Sequence, residues 1–317
     1  MSAADDLDDS AAPLLEHLTE LRQRLIYSVV AFLVAMVLCF SIGGTLLDFL
    51  LAPIEKTMRN LGNPNPVMQY TAPQEYFFTL IRISVVGGLI LSFPVIGYQL
   101  WRFVAPGLYR NEKNAFLPFI VASPFLFVLG AAFAHYVVVP LAMAFFLGFA
   151  DLPSFVSALM SEAVPPPPGA EVLPNTETGV AIVFNGKVNE TLDITLKMIV
   201  AFGLCFQLPV LLTLLGTAGL ASSRGLRGTR KYAVVGILVV AAIVTPPDVT
   251  TQLILFVVVY GLYEISIHLV AAVERKKDRV ARAEGIIGEG ESLFDVDIDD
   301  EAEADVADAN SDPDAKT

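Results

Sequence analysis

The chain has 317 residues, of which 55% are apolar and only 17% are charged, a balance that excludes an ordinary soluble globular protein. Its formal net charge of −13 comes from acidic ends, because residues 10–283 carry 19 Lys and Arg against 16 Asp and Glu. The acidity therefore indicates solvated termini, and no basic stripe is present that would bind nucleic acid.

The first predicted elements are an acidic tail and a surface helix. Residues 1–13 contain four aspartates, and we expect them to be disordered. Pro13 then opens an amphipathic helix that leads into the first span. The first span has no positively charged segment ahead of it, so we expect an uncleaved membrane anchor.

Four long apolar stretches then exceed the ~20 residues that are needed to cross ~30 Å of hydrocarbon. The last apolar region is divided by Thr245–Asp248, because two consecutive prolines and an aspartate cannot lie inside a helix in lipid. The pattern predicts an all-α polytopic membrane domain, residues 14–276, in which both termini are cytoplasmic. Its six helices are predicted at approximately 25–47, 77–100, 116–146, 192–215, 232–245 and 249–269.

The last two spans are predicted to be short. At 1.5 Å per residue, Tyr232–Thr245 reaches only ~21 Å, and Glu264 limits the apolar length of the sixth span in the same way. Prolines inside the second, third and fourth spans are tolerable where packed neighbours satisfy the freed carbonyls, and Pro94 predicts a kink.

Lysine and arginine in the short loops set the predicted orientation. The side that carries both termini has fourteen of them, and the opposite loops carry four, namely Lys56, Arg59, Lys187 and Lys197. Because positive charge accumulates on the cytoplasmic side, we expect the N and C termini to be cytoplasmic.

Three segments outside the spans have their own predicted structure. Residues 46–58 favour a helix lying along the external interface. The external loop 151–190 is the longest segment outside the membrane, and Asn185-Gly186 within it predicts a small β-hairpin over 180–188. The acidic C-terminal segment 277–317 is predicted to be a disordered cytoplasmic tail.

Motifs for catalysis and cofactor binding are missing from the sequence. It contains no phosphate-binding G-x-x-x-x-G-K-[ST], no H-E-x-x-H and no G-x-S-x-G, and its three histidines lie in different segments. The two cysteines, Cys39 and Cys205, lie inside apolar runs and favour small buried side chains. We therefore predict no enzyme, no catalytic residue, no cofactor and no metal.

Isolated polar residues in apolar surroundings remain as functional candidates, because burying them is costly unless they have a partner or water. These candidates are Arg82, His135, Gln207, Asp248 and Glu264.

Four segments taken together resemble one known family. They are Glu16–Leu25, Tyr98–Glu112, Ala201–Pro209 and Thr245–Asp248, in this order along the chain. They resemble TatC, the multi-spanning subunit of the twin-arginine protein translocase, over roughly residues 14–276. The resemblance implies a receptor in the plasma (inner) membrane that binds the Arg-Arg signal peptides of folded cargo proteins. It also implies recruitment of single-span TatA/TatB-type subunits, self-association within the Tat complex, contact with membrane lipid, and export driven by the protonmotive force.

The chain departs from the family pattern at three places. Gln207 stands where many members have Glu, and a neutral amide cannot titrate. His135-Tyr136 replaces Tyr-Phe, and Thr251 replaces Ser. At position 207 the chain therefore lacks the titratable group that many members carry.

The resemblance directs attention to Glu20 and Glu112 as the residues that bind the signal peptide. Carboxylates accept planar guanidinium groups in bidentate fashion, which lysine satisfies less well. The alternative is that Glu20 pairs with Arg24 at i+4 and that Glu112 faces water. Glu16 and Arg22 are supporting candidates in signal-peptide binding, whereas we interpret Trp101 and Phe103 as interfacial anchors.

The intramembrane candidates have structural alternatives too. Asp248 either caps the sixth span or contacts a partner. Gln207 is interpreted as a hydrogen-bonding contact between helices rather than a proton relay. Arg82 is expected to snorkel or to pair with an acid such as Glu75.

Two other functional classes compete with the receptor. A secondary transporter of a small solute would use Arg82, Gln207 and Glu264 as a midplane site, but the sequence has no inverted repeat. A purely structural membrane scaffold is the third class. A thylakoid location also stays open, although no transit peptide precedes Pro13.

Overall fold

The computed structural model describes residues 3–60, 65–108, 117–149, 186–245, 249–283, 285–288 and 292–294. Side-chain surroundings are described in 18–60, 65–103, 118–148 and from 186 onward within those ranges. The predicted site residues Glu112 and Asp248, the side chain of Glu16 and most of the loop 151–190 lie outside the described residues.

Helices form nearly all of the described chain, which confirms the all-α prediction. They are α1 (Ala3–Ser41), α2 (Gly43–Asn60), α3 (Glu75–Leu108), α4 (Leu117–Phe133), a π-helical turn (Ala134–Val138), α5 (Val139–Phe149), α6 (Val188–Cys205), α7 (Leu208–Thr217), α8 (Ser223–Gly228), α9 (Arg230–Val244) and α10 (Val249–Ala283). We call the side at which α1 begins the near side and the opposite side, which carries α2, the far side.

Five helical stretches are long and apolar enough to cross a membrane. They are Leu18–Ser41, Glu75–Phe103, Pro118–Gly148, Val188–Thr217 and Val249–Ala283. The remaining predicted span is α9, whose 15 residues reach only about 22 Å. The short fifth span predicted from the sequence is therefore present as a helix of that length.

Helix α1 is longer than the sequence pattern predicts. It is one α-helix of 39 residues that includes most of the acidic segment for which disorder was expected. Acidic side chains are favourable at the positive N-terminal end of a helix, so the four aspartates there are compatible with helix.

Helix α10 also differs from the prediction, because it is 35 residues long, or about 52 Å. Only its apolar section is short. Charged residues that favour helix continue the same helix beyond its lipid-facing part. Glu274 and Asp278 in this continuation are buried on one face of the helix. The segment expected to be disordered from residue 277 therefore begins as helix. After α10 the chain returns, and the Asp278 carboxylate accepts hydrogen bonds from Ser292 Oγ at 2.8 Å and Leu293 N at 3.1 Å.

The centre of the bundle is the contact between α4 and α6. Small residues allow these helices to approach closely, since a Cβ at Gly130 would lie 2.5 Å from the Phe202 carbonyl oxygen. Gly203 likewise accommodates the ring of Phe127, which is fully buried and stacks on Phe93 with 3.8 Å between ring centroids. Phe202 and other buried residues of α6 form the main apolar core together with parts of α2, the π-helical turn and α10.

The far side is held by a short parallel β-bridge. Strand β1 (Met68–Gln69) pairs with β2 (Gly186–Lys187), which directly precedes α6. The described end of the expected β-hairpin thus pairs with the loop after α2. The other hairpin residues lie outside the described part of the chain.

On the near side, α10 holds both ends of the turn between α7 and α8. Glu274 Oε1 accepts a hydrogen bond from Ser223 N at 2.7 Å, and Lys277 Nζ donates to the Thr217 carbonyl. Gly219, with φ of +77°, reverses the chain after α7. Glu274 therefore lies at the N-terminus of α8 and Lys277 at the C-terminus of α7, the positions that the two helix dipoles favour for an acid and a base.

Candidate functional site

The near end of α1 carries the described signal-peptide candidates. Glu20 Oε1 accepts hydrogen bonds from both Nε and Nη2 of Arg24, with 3.0 Å between Nε and Oε1. The Glu20 side chain is 35% exposed and that of Arg24 is 14% exposed. Arg22, on the same helix, is exposed. The i+4 pair considered as an alternative is thus present, with its carboxylate still partly open to solvent.

Trp101 is not the interfacial anchor expected from the sequence. It is buried against Val210 and Leu214 of α7, and its indole Nε1 has no hydrogen-bond partner among the described residues. The interpretation was wrong because α7 covers this end of α3, a contact between distant segments that no local pattern shows.

Gln207 lies in the short break between α6 and α7 and joins that break to α4. Its Oε1 accepts from Ser123 Oγ at 2.7 Å, and its Nε2 donates to the Ser123 carbonyl at 2.9 Å. The prediction of a hydrogen-bonding contact between helices is confirmed. The contact uses both ends of the amide, and an ionised carboxylate could not make the donated bond. Ser123 was missed because only the helix rotation shows which residue faces Gln207.

Arg82 lies toward the far side and binds α6 rather than Glu75. Its Nη1 donates to Asn189 Oδ1 at 2.8 Å and lies 3.6 Å from Asp193 Oδ1. The expected Glu75 partner was wrong, because the Glu75 carboxylate accepts hydrogen bonds from backbone amides at the start of α3, including Thr71 N at 2.7 Å.

Glu264 forms a third, separate polar contact. Its Oε2 lies 2.7 Å from Arg230 Nη2, so the pair ties α10 to the near end of α9. Arg82, Gln207 and Glu264 therefore occupy three different contacts, each with its own partner. The structure does not bring them together as the midplane site that a small-solute transporter would need.

His135 lies in the π-helical turn, and π-helical segments often occur at functional sites. It is 3% exposed, and its ring stacks on Phe49 of α2 with 4.5 Å between centroids. Its Nδ1 has no hydrogen-bond partner among the described residues. The sequence identified the residue but not its stacking on α2.

Metal-binding chemistry has no support in the described part of the chain. There, no three His, Cys, Asp or Glu side chains come close enough together to hold a metal ion. Cys39 is buried, Cys205 is half-buried, and both are free thiols.

Known proteins resemble the chain over most of its length. Residues 16–257 match the family model described as Sec-independent protein translocase protein (TatC). A protein of that name from Magnetococcus marinus is 40% identical over 293 residues, covering 92% of this chain and 95% of the relative. The one from Escherichia coli K12 is 34% identical over 259 residues, covering 82% and 88%. A crystal structure titled as the twin arginine translocase receptor TatC is similar with a TM-score of 0.63 and 37% identity, covering 81% of this chain and 99% of that one.

Proposed function

Because the chain belongs to the TatC family of Sec-independent protein translocase proteins, we propose that it is the subunit that receives Arg-Arg signal peptides of folded cargo. The observation that carries this proposal is the match over residues 16–257, which includes all four sequence motifs. Membership of this family also implies that cargo would leave the cytoplasm with energy from the protonmotive force, and the sequence has no G-x-x-x-x-G-K-[ST] motif.

The proposed receptor surface lies on the near side, which we assign to the cytoplasm. Fourteen Lys and Arg residues fall in the sequence segments of this side, against four in the opposite loops. The near side includes the end of α1 that carries Glu20 and the end of α3 at Leu108, and Glu112 follows in the sequence outside the described residues. The membrane would be the plasma (inner) membrane.

Glu20 is proposed to bind one guanidinium group of the peptide, with Glu112 binding the other and with Glu16 and Arg22 in support. The Glu20–Arg24 pair supports this role because it presents a partly exposed carboxylate already positioned for a guanidinium group. A peptide arginine would displace Arg24 or share its acceptor. Arg24 then acts as a competitor for the same carboxylate.

The experiment measures binding of a labelled Arg-Arg signal peptide and its Lys-Lys version to the purified full-length protein in detergent. We expect tighter binding of the Arg-Arg peptide. Glu20→Ala or Glu112→Ala should lower its affinity roughly ten- to a hundredfold, the cost of a lost charge-assisted hydrogen bond of ~1.5–3 kcal/mol.

Two further variants separate recognition from helix stability. Arg24→Gln should keep or raise the affinity, because it removes the competitor, whereas Glu20→Gln should lower it. If both variants lower the affinity equally, Glu20 acts only by stabilising α1 through its ion pair with Arg24 and does not bind the peptide. Glu55→Gln is the matched control, since Glu55 pairs with Arg59 at the same i+4 spacing, with 2.9 Å between Oε1 and Nη2, on the far side.

Single-span TatA/TatB-type subunits are proposed to dock along α9 or beside Gln207. Only Ala241 of α9 is buried, and a Cβ at Gly236 would meet no atom within 4 Å. Small residues on such a free face allow close helix approach. Cysteines at Gly236 and Val239 should crosslink to a co-expressed partner, and adducts confined to exposed α1 positions such as Val37 would contradict this docking site.

The short α9 is also proposed to thin the membrane locally. Its roughly 22 Å cannot match ~30 Å of hydrocarbon, so the turn that follows it would meet water. A cysteine at Val249, which is 77% exposed, should react with a membrane-impermeant thiol reagent added on the far side. A cysteine at Leu255, which is buried, should react little. An inert Val249 cysteine would show that the turn lies within lipid.

A further inference from the structure

A groove of about 550 Å³ runs between α3, α6 and the far end of α9. Its walls are apolar along most of their length, and the residues that form them include Val85, Val200, Ala201, Leu204, Ile243 and Val244. Leu204 and Ile243 are 54% and 78% exposed, so the groove is open along one side. Its far end is different, because Arg82, Asp193 and Lys197 lie there.

The order of charge and apolarity along the groove follows from helix periodicity. Asp193, Lys197, Ala201 and Leu204 recur at i+3 or i+4 and share one face of α6. Both α3 and α6 run from the far side toward the near side. Charged side chains therefore lie at the far end of the groove, and apolar side chains continue from them toward the middle of the bundle.

The charged end lies at the depth of a lipid headgroup. Helix α3 is 34 residues long, about 51 Å, which exceeds ~30 Å of hydrocarbon by about 20 Å. If the excess is shared equally, about 10 Å extends beyond each boundary. Arg82 is seven residues from the start of α3, also about 10 Å, and so lies at the far-side boundary.

The groove itself is lined by two cations, Arg82 and Lys197, and one acid, Asp193. Glu75, Lys187 and Glu190 line a neighbouring polar cavity that Arg82 also borders. Lys197 Nζ lies 2.6 Å from Asp193 Oδ2, and Arg82 Nη1 lies 3.6 Å from Asp193 Oδ1, so two cations share one carboxylate. The next acid along α6, Glu190, lies 3.2 Å from Lys187 instead. The Arg82 and Lys197 side chains are 49% and 67% exposed, which leaves both able to contact a ligand.

We propose that this groove binds an anionic phospholipid, with its phosphate on the solvent-exposed sides of Arg82 and Lys197, away from Asp193, and one acyl chain along the apolar walls. An acyl chain is thin enough to follow the groove along its apolar walls, and the cations at its far end suit a phosphate, which an apolar helix face does not carry. The lipid would come from the far leaflet. The site is independent of signal-peptide recognition, because Glu20 and Glu112 belong to segments of the near side.

The test compares phosphatidylglycerol with phosphatidylcholine of identical acyl chains, each titrated into delipidated full-length protein in detergent and followed by native mass spectrometry. We expect phosphatidylglycerol to bind about tenfold more tightly, the size of one charge-assisted contact. Arg82→Gln/Lys197→Gln should remove this preference, and Lys197→Gln alone should reduce it. Lys197 is mostly exposed, so this single variant keeps the fold intact.

Three controls distinguish the lipid from other occupants. Arg59→Gln removes a cation from the same side but outside the groove, and it should leave the preference unchanged. Leu204→Trp should weaken the binding of both lipids equally, because the larger side chain narrows the apolar part of the groove. Glycerol phosphate without acyl chains should compete poorly. Equal competition by glycerol phosphate, or an undiminished preference in Arg82→Gln/Lys197→Gln, would overturn the proposal.

Discussion

Helix α1 and the pair α6–α7 are both apolar enough to span a membrane, yet they differ sharply in burial. In the most apolar part of Leu18–Ser41, 11% of the residues are buried, against 50% in Val188–Thr217. Apolar character alone therefore does not distinguish the centre of this bundle from its rim. Lipid is as apolar as the protein core, so close packing and internal hydrogen bonds are what separate the two.

At the rim, α1 packs along α3, and small residues lie at this contact. On α1, Ala35 and Cys39 are buried, and a Cβ at Gly88 of α3 would lie 2.8 Å from the Met36 backbone. The centre adds buried aromatic rings and the Gln207–Ser123 pair to its glycine contacts. Substitutions at the centre should therefore destabilise the fold far more than similar substitutions at the rim.

The largest expected effect comes from an aromatic ring at the centre. Phe127→Ala should lower the free energy of unfolding by about 3–5 kcal/mol, because it removes a fully buried ring and leaves a cavity. Phe125→Ala is the control on the same helix, since Phe125 is 65% exposed. Denaturation with sodium dodecyl sulfate in mixed micelles measures both. Equal losses would break the distinction between centre and rim.

A smaller effect is expected where helices α4 and α6 touch. Gly130→Ala places a methyl group 2.5 Å from the Phe202 carbonyl oxygen, and such overpacking costs about 1–3 kcal/mol. Gly236→Ala on α9 meets no neighbour and should stabilise its helix by about 0.5–1 kcal/mol. Changes of opposite sign in the free energy of unfolding would support the distinction between centre and rim. An unchanged free energy of unfolding in Gly130→Ala would contradict it.

The smallest effect is expected for the polar contact. Ser123→Ala and Gln207→Leu should each destabilise the protein, and the double variant should show a coupling energy of about 1 kcal/mol. A coupling energy near zero would mean that the hydrogen bond from the Ser123 hydroxyl to Gln207 Oε1 adds nothing to the centre beyond packing. Ser41→Ala is the control, because Ser41 Oγ donates only to the Leu38 carbonyl of its own helix.

The sequence was informative where lipid imposes a simple requirement. Spans of sufficient apolar length were predicted from composition, and the i+4 pair of Glu20 and Arg24 from helix periodicity. The interhelical role of Gln207 also followed, because a polar amide in lipid needs a partner. These inferences depend on one helix and its solvent alone.

The remaining contacts depend on how helices are rotated against each other. Asn189 and Asp193 as partners of Arg82, Ser123 as the partner of Gln207, and the burial of Trp101 each join segments far apart in the chain. The part of α1 that precedes Pro13 and the charged end of α10 were also missed. Hydropathy limits the membrane section of a helix, not the helix itself.

Two hydrogen bonds join α10 to the turn after α7, and the amide proton of Ser223 takes part in one of them. This proton can report on the contact between α10 and the turn. Ser223 N donates to Glu274, and an amide exchanges its proton with solvent only when such a bond opens. Its exchange rate therefore measures how often the near end of α10 separates from the turn. A bound peptide or partner that holds α10 in place would slow deuterium uptake at this single site, even if nothing else in the bundle moved.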